Sequence, residues 1–125
     1  MILHIVLYQP KPTATPDELR ALAEAIERAS KSISVIRQVR VGRANDYGFG
    51  YKTWPYDQNS GFAAVFEFAD LNDLGKYLIH ESHKALAEMF WKTCDNPIIL
   101  DVTATDPRQT NYDGWSGLMG VISGQ

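Results

Sequence analysis

The amino-acid sequence predicts a single α+β domain whose elements run β-α-β-β-α-β, with the second helix split. Four stretches gather β-branched and aromatic residues as strands do: Ile2 to Tyr8, Val35 to Gly42, Gly61 to Phe68 and Ile98 to Ala104. Between them, Thr15 to Ser30 and Asp70 to Cys94 place apolar residues at helical spacing. That order is the ferredoxin-like arrangement, a four-stranded antiparallel sheet with its helices on one face.

The first strand, "ILHIVLY", is stopped by the prolines of "QPKP". Alternation sends Ile2, His4, Val6 and Tyr8 to one face and Leu3, Ile5 and Leu7 to the other. Both faces are largely apolar, so both are expected to be covered. In "TPDELRALAEAIERAS", Thr15 caps the helix, Pro16 occupies the position that needs no N–H, and Glu18 completes a capping box. Leu19, Leu22, Ala23 and Ile26 form its predicted inner face.

In the second strand Val39 and Val41 oppose Gln38 and Arg40. The third sets Phe62, Ala64, Phe66 and Phe68 against Ala63, Val65 and Glu67. Asp70 caps a helix carrying Leu74, Tyr77 and Leu78, and a break is expected between His80 and Ser82. Helical spacing then resumes through Leu86, Met89 and Phe90, and Pro97 is predicted to open the last strand. The domain is assigned to residues 1–105, with 43–60 as an insertion holding Tyr47, Phe49, Tyr51, Trp54 and Tyr56. Residues 106–125 form an arm or tail with Trp115, Leu118 and Met119.

Composition narrows the function. At 22% charged residues and 45% apolar the chain can fold, and a net charge of -3 without any basic block gives nucleic acid nothing to bind. The longest apolar runs are too short to span a bilayer, and no signal-peptide pattern opens the chain. Cys94 stands alone, which excludes an internal disulfide and suits a cytoplasmic location. No nucleotide-binding or nucleophile-elbow motif is present.

The stretch "YLIHESHKAL" concentrates Tyr77, His80 and His83 where an amphipathic helix would otherwise take leucines. On a continuous helix six steps would turn Tyr77 and His83 roughly 240° apart. A kink near His80 to Ser82 would bring both rings to one side. There they could meet His4, which shares the helix-facing side of the sheet. The plainer alternative keeps Tyr77 in the core and His83 in the first turn of a new helix. His80 and His83 also make an H-x-x-H pair, with His4 as a possible third nitrogen, but no carboxylate aligns with the trio and no metal is expected. Cys94 is expected to fill the core, and Arg40 and Glu67 to lie on the face away from the helices.

"HIVLY", "IRQVRVG", "AAVFEFADLNDLGKYLIHESH" and "IILDV" together resemble the stress-responsive A/B-barrel (Dabb) family over Met1 to Thr103. The most specific element is a tyrosine followed by H-x-x-H, here Tyr77, His80 and His83. The family usually has proline after the first histidine, where this chain has Glu81. The resemblance implies a homodimer in which sheets pack face to face into a dimeric α/β barrel, through Leu3, Ile5, Leu7, Ala63 and Val65. It also implies a pocket between sheet and helices. In a plant polyketide-cyclising branch of the family, the catalytic tyrosine and histidine fall on Tyr77 and His83 and a first-strand histidine on His4. Two of that branch's pocket residues are replaced here, by Phe62 and Ile26.

The expected chemistry is cofactor-free acid/base work next to a carbonyl. His83 is the base, Tyr77 the donor to the developing enolate oxygen, and His4 an orienting group. Ile2, Val6, Ala23, Ile26, Phe62, Ala64, His80 and Ile99 are the expected substrate contacts, and Asp46 to Tyr56 the lid. Two alternatives remain: a dimer that binds an apolar molecule or a partner without turnover, and a monooxygenase or haem-handling relative.

Overall fold

A computed structural model describes residues 1–51 and 61–109. The elements are β1 (Ile2–Pro10), α1 (Pro16–Ser32), β2 (Gln38–Arg43), β3 (Phe62–Phe68), α2 (Leu71–Ile79), α3 (Glu81–Thr93) and β4 (Cys94–Thr103). The four strands make one antiparallel sheet in the order β2-β3-β1-β4. This is the ferredoxin-like arrangement, with the second helix in two pieces.

Local chemistry explains the helix ends. The Thr15 hydroxyl accepts from the Glu18 amide at 3.1 Å while the Glu18 carboxylate accepts from the Thr15 amide at 3.0 Å, closing the predicted capping box. Asp70 caps α2 by accepting from the Asp73 amide at 2.9 Å. His80 does two jobs. Its extended backbone (φ -68, ψ 143) ends α2, and its Nδ1 accepts from the Ser82 amide at 3.0 Å to start α3.

The buried stripe of α1 is Leu22, Ala25 and Ala29, one step round from the predicted face. Leu19 and Ala23 are exposed, and Ile26 is half-buried. The small alanines let α1 lie close against α3, which sequence spacing within one helix does not reveal.

Two strand starts differ from expectation. β2 begins at Gln38, because residues 33–36 form the turn that closes α1: the Ile33 amide donates to the Ala29 carbonyl and the Ile36 amide to the Ile33 carbonyl. β4 begins at Cys94, ahead of Pro97, with Pro10 opposite Cys94 and Gln9 opposite Asp95. The register then shifts, Asn96 takes a positive φ of 52°, and Pro97 falls at the irregularity on an edge strand, where its missing N–H does no harm.

The pleat sorts the sheet as the alternation predicts. Ile2, His4, Val6 and Tyr8 share the helix-covered face with Phe62, Ala64, Phe66 and Phe68, residue opposite residue. Phe68, Phe66, Ile2, Ile33, Leu74 and Tyr77 form the centre of the core. The other face carries Leu3, Ile5, Leu7, Ala63 and Val65, joined by Ile98, Leu100 and Val102 of β4. No described element covers it, and Leu100 is 49% exposed. On that face Glu67 approaches Arg37 at 3.7 Å, while Arg40 donates to the Val39 carbonyl. Cys94 is buried, as expected of a core thiol. No described helix is long and apolar enough to cross a membrane. Trp54, Tyr56, Trp115, Leu118 and Met119 lie outside the described residues.

Phe68→Ala removes a wholly buried ring and is expected to lower unfolding free energy by about 3–5 kcal/mol. Thr15→Ala loses only a cap, about 1 kcal/mol. Urea denaturation followed by circular dichroism measures both.

Candidate functional site

Between the sheet and the α2–α3 pair lies a cavity of about 260 Å³. Val6, Ile26, Ala64, Phe66, Phe90 and Ile99 give it apolar walls. His4, Tyr77, His83 and Asp101, each supplied by a different element, cluster at its polar end, and the Tyr8 phenol and Trp91 indole also line it. β1 presents His4 through strand alternation, and β4 presents Asp101 directly opposite it. Tyr77 comes from the last turn of α2 and His83 from the first turn of α3.

The helix break decides the geometry. The Tyr77 and His83 rings meet edge to face with centroids 4.6 Å apart, and His4 stands 5.7 Å from Tyr77 on its sheet side. Phe66 and Phe68 pack on Tyr77 at 5.3 and 5.1 Å and fix its plane. His4 Nδ1 lies 2.6 Å from Asp101 Oδ1. An ionised carboxylate only accepts, so Nδ1 carries the proton and Nε2 of a neutral His4 keeps its lone pair. The His4 side chain is 8% exposed and that of Asp101 46%, so the pair runs from the interior to the rim.

Burial sets the protonation states. It pushes the Tyr77 phenol far above the usual range, keeping it a hydrogen-bond donor. Burial also lowers the pKa of His83, reinforced by nearby His4 and partly offset by a hydrogen bond to the Leu78 backbone. Tyr8, at the far end of the cavity, is raised to about 12 by burial and by Cys94. The site therefore presents a protonated phenol beside an imidazole biased toward its neutral, basic form. That combination can move a proton and steady a developing oxyanion.

The sequence model of the stress responsive A/B barrel domain, Dabb, matches residues 2–104. The chain belongs to the Dabb family. Among solved structures, this Dabb chain is similar to a dimeric protein of unknown function and ferredoxin-like fold from Bacteroides fragilis. The two share 26% identity and a TM-score of 0.62, over 82% of this chain and 95% of that one. A hydroxynitrile lyase from Passiflora edulis has the same fold at 13% identity and a TM-score of 0.64, covering 85% of this chain and 97% of its own. So does a protein described as an antibiotic biosynthesis monooxygenase, at 14% identity and a TM-score of 0.62, over 85% and 100%. At such identities those two likenesses concern the fold alone. No curated protein matches the chain.

Of the residues that the Dabb resemblance singles out, His4, Tyr77, His83, Val6, Ile26, Ala64 and Ile99 line the cavity. Four do not. Ile2 is buried in the core beyond it. Ala23 and Phe62 line a neighbouring groove beside Val41, with Phe62 stacked on Tyr8 at 5.6 Å. His80 is committed to capping α3, so the H-x-x-H pair does not converge. Among the described residues no cluster of three His, Cys, Asp or Glu side chains could hold a metal ion. Tyr47, Phe49 and Tyr51 are largely exposed. Sequence reasoning missed Asp101 and several further lining residues, Tyr8, Phe90 and Trp91 among them. The signal for Asp101 is parity: it shares a strand face with Ile99, an expected pocket contact.

His83 in the folded chain binds its proton less readily than at the ordinary value of 6.5, so the unfolded chain binds more protons on the acidic side. Stability is expected to fall as pH drops through 6.5 toward the lowered value, and to level off below it. His83→Gln should flatten that limb in thermal melts between pH 7.5 and 5; an unchanged profile would assign the acid sensitivity to another group.

Proposed function

We propose that this Dabb protein catalyses cofactor-independent proton transfer at carbon next to a carbonyl, on a small apolar substrate, as a cyclase or lyase would. The observation that carries the reading is the Tyr77–His83 pair, 4.6 Å apart on the wall of an apolar cavity. His83 takes the proton through its free lone pair. Tyr77 donates to the oxygen on which enolate charge develops, and His4, held by Asp101, orients the carbonyl compound. The apolar walls lower the local dielectric, which strengthens both interactions.

The same fold occurs in proteins named for lyase and for monooxygenase activity, so the fold does not select the chemistry and the side chains must. The cavity beside the rings favours a small-molecule site over a closed structural network, in which the same rings would satisfy one another with no space between them.

In the same reading two copies meet through the uncovered sheet face. An apolar surface of this kind on Leu3, Ile5, Leu7, Ala63 and Val65 is characteristic of an interface. The Bacteroides fragilis relative, described as dimeric, supports it. The pocket opens on the opposite side of the sheet, so dimerisation leaves it accessible.

Deuterium incorporation from solvent into aryl alkyl ketones such as 4-phenylbutan-2-one, followed by NMR, tests the chemistry. His83→Ala is expected to slow exchange by about 10²–10⁴-fold and Tyr77→Phe by about 10²–10³-fold. Rates unchanged in both variants would end the catalytic assignment and leave a binding protein. Separately, Val65→Arg should convert the dimer to monomer in light scattering at micromolar concentration; a persistent dimer would move the interface elsewhere.

A further inference from the structure

The charge inventory of the cavity points to the class of substrate it admits, an inference that rests on the proposed acid/base site. Among the described residues lining it there is no lysine or arginine, and the one acidic side chain is the Asp101 carboxylate at its rim. With His4 neutral, the polar cluster carries one net negative charge. With His4 protonated, the His4–Asp101 contact at 2.6 Å is an ion pair that sums to zero. In neither state is an unpaired cation left to meet an incoming anion. His83 supplies none either at neutral pH, because its surroundings favour the neutral ring. Lys11 donates to the Trp91 carbonyl and does not line the cavity.

We propose that the site accepts uncharged carbonyl compounds, ketones or aldehydes, and rejects carboxylates, with Asp101 as the specificity-determining residue. A carboxylate entering the cavity would lose its hydration to apolar walls, gain no countercharge, and pass the like charge of Asp101 on the way in. A neutral carbonyl of the same shape meets none of these penalties. It needs one donor for its oxygen, and the Tyr77 phenol, held protonated by burial, provides one. Asp101 thus has two consequences: it fixes the His4 tautomer, and it sets the sign of charge the rim will tolerate.

Three ligands of nearly one shape separate the possibilities: 4-phenylbutan-2-one, 3-phenylpropanamide and 3-phenylpropanoate, titrated at neutral pH into the unmodified protein and followed by the histidine ring resonances. The ketone and amide are expected to bind at least about tenfold more tightly than the carboxylate. Asp101→Asn should narrow that gap mainly by improving the carboxylate. A carboxylate that binds as tightly as the amide overturns the selectivity, whatever the exchange rates show. Selective binding without His83-dependent exchange would instead overturn the catalytic reading and leave the selectivity standing. Failure of all three ligands to perturb the rings would overturn both. The unmodified-protein comparison holds even if Asp101→Asn does not fold.

Discussion

The site depends on a single interrupted turn. His80 leaves the helical region and its imidazole takes the Ser82 amide, so α2 ends and α3 begins without an intervening loop. A continuous helix would point Tyr77 and His83 roughly 240° apart. With the break, one ring comes from the end of the first segment and the other from the start of the second, and they meet over the sheet. The local cost is small, because the amide exposed at the new helix start finds a partner within two residues. An H-x-x-H pair that reads as two ligands or two catalytic groups thus divides its labour: one histidine shapes the backbone and the other faces the cavity.

A polar cluster inside so apolar a domain has to be satisfied or wetted. Among the described residues no buried side-chain nitrogen or oxygen lacks a partner. His4, buried mid-strand, is stabilised because β4 places Asp101 opposite it in register, and the partly exposed carboxylate lets the pair reach water. That register depends on the irregularity near Pro97. The shift between Leu7 and Gln9 lets β4 begin at Cys94 and still bring Asp101, not a neighbour of opposite parity, to the helix-covered face. Backbone geometry several residues along the strands therefore decides what lies beside His4.

The two faces of the sheet divide the molecule's apolar surface between separate tasks. One face forms the core and the cavity, where Phe66 and Phe68 hold Tyr77 in place. The other has no cover within the described chain. Since both rest on the same alternation along β1, a one-residue slip would exchange His4 with Leu3 or Ile5 and destroy both at once.

By itself the sequence determined what local physics controls. Thr15 and Asp70 marked helix starts, the pleat put His4 with Val6 and Tyr8, and the Tyr77–His83 interval required a break if the rings were to meet. It also showed that both sheet faces are apolar. The tertiary structure decided what depends on how elements meet. Which stripe of α1 faces inward was set by α3 approaching its alanines, so Ala23 turned outward. Which of eight expected contacts line the cavity followed from packing depth, with Phe62 claimed by Tyr8 and Ile2 by the core. Above all, the partnership of His4 with Asp101 joins residues 97 positions apart. Strand parity limits such a pairing, but only the register of two folded strands can specify it.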